Sequence, residues 1–288
     1  MWSFFSLVKI SHTVFALPFA LIGFIMASQD GYLNHPVKTL SLILLCMVFA
    51  RNSAMAFNRL VDHTFDAKNP RTNTRELPAG ILSFSSVKWF IAINIILFIV
   101  CTGFLNFWCL ILSPVALMVI LGYSFTKRFT FLCHFVLGVG LGLAPVGAYL
   151  AAAGQFQGIS IIFGIAVLLW VAGFDIIYAL QDISVDHELG LHSIPADFGF
   201  QRALRISRLI HAFSALLLCF AAWLAEQRYS SLQWIHILGL VVFLLMLFRQ
   251  HRLINQGDLS KINLAFFTSN GMASVVYGLA WVIDIYMF

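Results

Sequence analysis

The chain has 288 residues, of which 61% are apolar and only 10% charged, and its formal net charge is +5. Soluble domains carry about 25% charged residues, so a water-soluble enzyme, a nucleic-acid binder and a disordered chain are all excluded. A mean hydropathy of +0.92 and 29 Phe residues require a bilayer around an all-α, multi-spanning membrane protein.

A membrane span needs about 20 mostly apolar residues. Nine segments qualify in chain order: 12–28, 37–57, 87–106, 107–123, 131–152, 159–181, 203–225, 233–249 and 264–286. The first resembles a signal peptide, but eight further spans follow it, so it is read as the first of nine. Only Asn106 and its neighbours divide the third span from the fourth. The five cysteines lie in apolar stretches without a CxxC pair and are read as small hydrophobes, not a disulfide framework. Gly138, Gly140, Gly142, Pro145 and Gly147 in the fifth span are read as close helix packing.

With the N-terminus placed inside, 14 of the 17 basic residues fall on the cytoplasmic side. Lys38 and Arg228 fall outside, and Arg51 lies within the second span. This bias predicts an N-inside, C-outside topology. Two cytoplasmic connections are long, residues 58–86 and 182–202, and each follows the second helix of a four-helix block. The expected architecture is two four-helix halves plus a ninth helix, in a single domain over residues 1–288.

The first long connection opens with NRLVDHTFD. Asn58, Asp62 and Asp66 are spaced i, i+4, i+8 and share a face if the second helix continues past the membrane. The second connection is entered through DIIYALQDISVD, where Asp175, Asp182 and Asp186 return to nearly one face and Tyr178 lies a turn from Asp175. Asp62 to Asp182 and Asp66 to Asp186 are both 120 residues apart. Two carboxylates about 4 Å apart at an effective dielectric of 20 repel by about 4 kcal/mol, so a cation is required. No Cys or His cluster has zinc-like spacing. Carboxylates beside Arg59, Lys68, Arg71, Arg75, Lys127 and Arg128 suit Mg²⁺ and phosphate oxygens instead. Solvated loops with ordinary inside-positive charge are the plainer alternative, which two equivalent clusters on one side make the weaker reading.

Arg51 lies two turns deeper than Asn58, about 10 Å along the helix, where a charge usually faces a polar cavity. Asp175 is expected in the same cavity from the other half. Asp284 is expected to meet water at the outer end. His12, His35, His134, His211, His236 and His251 are read as helix-end or packing residues. His63, His187 and His192 in the acidic loops are weaker phosphate candidates. A secondary transporter is the competing class, because repeated halves and intramembrane charges also mark those proteins. It would place its acids near the midplane, whereas the four motif aspartates lie at one surface.

These residues resemble the UbiA superfamily of intramembrane aromatic prenyltransferases. The resemblance is carried by Asn58, Asp62 and Asp66, by Asp175, Tyr178, Asp182 and Asp186 with the following Gly190, Ser193 and Pro195, and by YSFTKRFT at 123–130. It covers essentially the whole chain. It implies that Asp62, Asp66, Asp182 and Asp186 hold Mg²⁺, and that Asn58, Arg71, Arg75, Lys127 and Arg128 bind a polyprenyl diphosphate. Asp175, Tyr178 and Arg51 are then the catalytic candidates, Arg51 facing the carboxylate of an aromatic acid acceptor. The implied setting is a bacterial cytoplasmic (inner) membrane, with the active site facing the cytoplasm and the isoprenoid tail in lipid. Where many ubiquinone-pathway members read RPLP, this chain has Arg75-Glu76-Leu77-Pro78. That form is similar to a subgroup labelled 4-hydroxybenzoate polyprenyltransferase, some of whose members serve menaquinone synthesis. A dihydroxynaphthoate acceptor is therefore the alternative to a 4-hydroxybenzoate-type acid.

Overall fold

The computed structural model describes Leu7 and residues 15–254 and 259–288. Helices dominate, and no β-strand occurs among the described residues. The main helices are α1 (Leu17–Gln29), α2 (Pro36–Val61), α3 (Phe84–Leu105), α4 (Phe107–Thr126), α5 (Cys133–Ala153), α6 (Gly158–Ala179), α7 (Phe200–Arg228), α8 (Ile235–Ile254) and α9 (Asn270–Met287). Eight segments among the described residues are long and apolar enough to cross a membrane, the last running from Leu264 to Met287. The expected first span differs. Its described helix, α1, has 13 residues and opens with a proline in its first turn, so it falls short of the length a full span needs. Residues 12–14 of that expected span lie outside the described residues.

Local chemistry sets several boundaries. The side chain of Asn106 accepts the backbone N–H of Cys109, capping α4, and its amide donates to the carbonyls of Leu150 and Ala151 at 2.8 and 3.1 Å. One residue thus starts α4, ends α3 and ties both to the last turn of α5. Gly154 closes α5 in the left-handed conformation at φ +69°. Gln157 and Ser83 cap α6 and α3 by accepting N–H groups three residues on.

Helix α6 is the packing centre. A Cβ on Gly138 or Gly142 of α5 would collide with the carbonyls of Leu168 or Gly164, and one on Gly23 of α1 with the carbonyl of Pro145. Backbones therefore meet directly, as small residues allow in membranes, and the packing expectation for Gly138 and Gly142 holds. Gly140 and Gly147 have room. Below this contact Trp170 is fully buried among Phe19, Phe174 and Phe243, with ring centroids 5.2–5.5 Å away. Other large apolar side chains, among them Trp89, Phe104, Phe107, Met118, Leu216 and Phe248, point outward, where lipid is their solvent.

The two ends of the bundle differ. At one end Asp30 accepts from the hydroxyls of Tyr149 (2.6 Å) and Tyr229 (3.1 Å) and pairs with Arg228 at 2.8 Å. At this end Asp284 departs from expectation. It is fully buried, and its Oδ2 accepts both the backbone N–H of His236 (2.9 Å) and the ring Nδ1 of His236 (2.7 Å). The carboxylate serves the first turn of α8 through Oδ2, where N–H groups lack helical partners, while its buried Oδ1 has no hydrogen-bond partner among the described residues. His211 is likewise no simple packing residue, because it joins His251, Gln250 and the Trp170 carbonyl in a buried chain of hydrogen bonds.

The glycine contacts give a direct test. Gly142→Leu is expected to lower stability by about 1–3 kcal/mol through overpacking, read as a fall in the thermal midpoint in detergent, while Gly147→Ala leaves that midpoint unchanged or raises it.

Candidate active site

The opposite end gathers nearly every residue singled out above. Helix α2 stops at Val61, and Asp62 breaks it before a short helix at His63–Lys68 that carries Asp66. Helix α6 stops at Ala179, and Asp182 stands before a short helix at Ile183–Glu188 that carries Asp186. The condition for a shared face, a second helix that continues past Asp62, is thus not met. Both break residues adopt matching dihedrals, φ −92°, ψ 6° for Asp62 and φ −104°, ψ 3° for Asp182. This bridge region is sparsely populated and recurs at active sites. The two acidic segments are therefore alike in conformation as well as in spacing.

Each motif aspartate has a cationic partner. Arg71 binds Asp182 in bidentate fashion, Nε–Oδ1 3.0 Å and Nη2–Oδ2 2.6 Å. Arg75 Nη1 bridges both oxygens of Asp66 at 2.6 and 2.8 Å. Lys127 Nζ lies 3.4 Å from Asp186, and Arg128 Nη2 lies 3.6 Å from Asp62. Arg128 also donates to the carbonyl of Val61 at 2.9 Å and lies over the ring of Phe65. Asn58 donates to Asp62 at 2.8 Å, and Asn69 to Asp182 at 3.2 Å. The connection after α2 thus crosses to the carboxylate after α6, and the short turn after α4 holds one carboxylate from each side.

Burial is unequal within these pairs. The side chains of Asp66, Asp182 and Asp186 are 6–9% exposed, whereas those of Arg71, Arg75, Lys127 and Arg128 are 23–35% exposed. The acids are the more buried members and the basic side chains the more accessible ones. Burial, then the charge of Asp66, pushes the Asp62 carboxyl up to about 6, against the opposing pull of Lys127, Arg128 and the Asn58 amide. Burial lowers Lys127, but Asp186, Cys133, Asp182 and Asp175 outweigh it and hold the ammonium above its ordinary value. Burial likewise works against Arg71, whose bond to Asp182 raises it overall. Asp62 has the longest ion-pair contact of the four carboxylates and the most exposed side chain.

Tyr178 joins the group. Its hydroxyl lies 3.4 Å from Arg71 Nη1, and its ring packs at a tilt against Phe266 with centroids 4.3 Å apart. Phe266 belongs to a π-helical turn, Leu264–Ser269, that precedes α9 and is held by the Asn270 amide donating to the Phe266 carbonyl at 2.9 Å. Asp175 lies deeper, and its charge is felt at Lys127. Arg51 sits two turns below Asn58, half-buried and within electrostatic reach of Tyr123. Two weaker candidates turn away. His63 bonds the Leu60 carbonyl and packs edge-on against Phe84, and His192 meets Asp197.

Sequence reasoning did not single out Asn69, and it read His134 as a packing or helix-end residue. His134 is fully buried yet only 2.7 Å from Asp175. No periodic signal marks such a residue, because its partner is 41 residues away on the next helix. Ser193, known only as part of a motif, donates to Asp186 at 3.1 Å and caps the short helix at Ile194–Phe198.

The profile of the UbiA prenyltransferase family matches residues 16–271. The chain belongs to this family. It is similar to a 4-hydroxybenzoate octaprenyltransferase of Francisella tularensis, 29% identical over 245 residues that cover 85% of this chain and 84% of the relative. Among solved structures, the apo structure of a UbiA homologue from Aeropyrum pernix K1 has a TM-score of 0.83 at 29% identity, covering 95% of this chain and 98% of that one. A UbiA homologue from Archaeoglobus fulgidus bound to DMAPP and Mg²⁺ shares the fold, with a TM-score of 0.74 at 20% identity over 99% of this chain and all of that one.

The Asp62 environment gives a pH prediction. Because the fold raises this carboxyl, the unfolded chain gives up its proton first, and folding loses stability as pH rises from about 4 to about 6. The thermal midpoint of the ligand-free protein is expected to fall across that window, and Asp62→Asn to flatten the fall.

Proposed function

We propose that this UbiA family member transfers a polyprenyl chain from its diphosphate to a hydroxylated aromatic acid in quinone biosynthesis. One observation carries the reading: four nearly buried or half-buried carboxylates are balanced by four more exposed cations that can turn to a phosphate-rich ligand. The donors at the two helix breaks are carboxylate oxygens, the kind that Mg²⁺ takes. Among the described residues no three His, Cys, Asp or Glu side chains converge as a ready metal site, since each aspartate is turned toward its own basic partner. The carboxylate donor set, with Asp62 in the longest of the four ion pairs, fits Mg²⁺. Asp62 with Asp66, and Asp182 with Asp186, would hold it. When bound, Mg²⁺ supplies positive charge to the diphosphate oxygens.

The residues divide the work. Arg71, Arg75, Lys127 and Arg128 bind phosphate oxygens and neutralise the diphosphate as it takes the electron pair of the breaking allylic C–O bond. Asn58 orients Asp62, and Tyr178 orients Arg71. Arg51 meets the carboxylate of the acceptor, and Asp175 its phenol. The phenol proton passes to Asp175, the ring carbon ortho to that oxygen bonds to the allylic carbon, and the C–H proton there leaves to the diphosphate. The oxygen then recovers its proton from Asp175, leaving the prenylated acid and protonated diphosphate. Phe and Leu side chains keep water from the allylic cation.

A 4-hydroxybenzoate-type acceptor is favoured because the relative from Francisella tularensis is named for it. A dihydroxynaphthoate, as in menaquinone synthesis, is the second acceptor. The basic connections all lie at the site end, while Lys38 and Arg228 lie at the other, which supports an N-inside chain in a bacterial inner membrane with its site facing the cytoplasm. Secondary transport is disfavoured, because the four motif aspartates stand at helix ends and not mid-membrane.

The test is turnover by detergent-purified protein with Mg²⁺, a polyprenyl diphosphate and either acid, with products identified by mass. One acid is expected to be prenylated, and Asp62→Asn or Asp182→Asn to reduce turnover at least 100-fold while the protein stays folded. Near-normal activity in those variants contradicts the scheme. Arg51→Ala is expected to raise KM for the acid about tenfold or more, the loss of a charge-assisted bond. If only the diphosphate KM moves, Arg51 belongs to the other substrate.

A further inference from the structure

Asp175 is held by more than its own helix. His134, in the first turn of α5, is fully buried. Its Nε2 faces the backbone N–H of Ile194 at 3.3 Å. That N–H can only donate, so Nε2 must accept and the ring proton resides on Nδ1. Nδ1–H then donates to Asp175 Oδ2 at 2.7 Å. Asp175 Oδ1 has no other hydrogen bond among the described residues, and the Asp175 side chain is 22% exposed while that of His134 is not exposed at all. The pair thus presents a single carboxylate oxygen, with the imidazole behind it.

The same arrangement reaches the diphosphate end of the site. Ser193, next to Ile194 in the chain, is fully buried and donates to Asp186 Oδ2 at 3.1 Å. The neighbouring backbone N–H of His192 donates to the Lys127 carbonyl at 2.7 Å. Segment 192–194 is therefore pinned to Asp186, to Lys127 and to His134 together.

We infer that His134 is a positioning residue for the acceptor half of the reaction, fixing Asp175 so that Oδ1 meets the phenol of the aromatic acid. The inference rests on the aromatic prenyl transfer proposed above. His134 touches neither substrate. It acts through Asp175, and its orientation is set by the segment that also secures Asp186.

Two substitutions separate its two bonds. In His134→Asn the amide nitrogen replaces Nδ1 and keeps the bond to Asp175. In His134→Gln the amide oxygen replaces Nε2 and keeps the bond to Ile194 while the donor to Asp175 is lost. The measurement is kcat and KM for each substrate, with the thermal midpoint, for the full-length protein in detergent. His134→Gln is expected to lower kcat/KM for the acid at least tenfold and to leave the diphosphate KM within twofold. His134→Asn is expected to stay within threefold of wild type for both. Adding His134→Gln to Asp175→Asn should cost little more than Asp175→Asn alone, since both remove one interaction.

Wild-type kinetics in His134→Gln overturn the inference. So does a loss shared equally by both substrates and both His134 variants in step with the thermal midpoint, which marks a merely structural histidine. So do fully multiplicative losses in the double variant. A wild-type protein that prenylates no aromatic acid overturns the function and this inference together. Wild-type turnover with unaltered His134 variants leaves the function standing and removes the inference alone.

Discussion

The organisation of this protein follows from gathering four carboxylates at one end of an apolar bundle. Asp62, Asp66, Asp182 and Asp186 repel one another where the surrounding dielectric is low, and each is answered by one of Arg128, Arg75, Arg71 and Lys127. The pairing explains why the connections are shaped as they are. Residues after α2 must cross the mouth of the site to bring Arg71 to Asp182, and the turn after α4 must stand between the two acidic segments. It also bears on the proposed ligand. A ligand that releases all four cations has to be strongly anionic, and the carboxylates left behind then require cations of their own. The proposed diphosphate with Mg²⁺ would meet both conditions.

The remaining structure holds this constellation in place from within the bundle. Inside a membrane there is little hydrophobic drive between helices, so close backbone approach and buried hydrogen bonds carry the packing. Gly138 and Gly142 let α5 lie against α6, which places His134 beside Asp175. At the far end Asp30 ties α1 to the ends of α5 and α7, and Asp284 secures α8 to α9. Polar groups thus staple the far end, while the site end keeps its cations partly exposed.

Much of this was legible in the sequence, and the reasons differ by residue. Span positions followed from hydropathy, because the bilayer imposes a length that one-dimensional reading detects. The exception is the first span, where the described helix α1 is short. The acidic segments were legible because their spacing repeats and because like charges in an apolar chain demand an explanation. Which cation meets which acid was not legible, since Arg71 reaches across 111 positions to Asp182. The buried roles of His134, His236 and Asp284 were equally hidden. A polar residue on an apolar helix announces a partner without saying which, and Asp284 was wrongly given to water for that reason. The π-helical turn at Leu264–Ser269 depends on the Asn270 amide and carries no mark in hydropathy. The shared face of Asp62 and Asp66 was conditional on the second helix continuing, and the structure breaks at Asp62.

The central claim is that cations and carboxylates exchange partners when substrate binds, and linked binding tests it most directly. The measurement is calorimetric titration of the detergent-solubilised protein with a non-reactive polyprenyl diphosphate analogue, with and without Mg²⁺, and the reverse titration of Mg²⁺ with and without the analogue. The account predicts that each strengthens the other by the same factor, at least tenfold, and that Asp182→Asn reduces the linkage. An analogue that binds equally tightly without Mg²⁺ would contradict it, because the carboxylates would then not need new partners when Arg71, Arg75, Lys127 and Arg128 leave them.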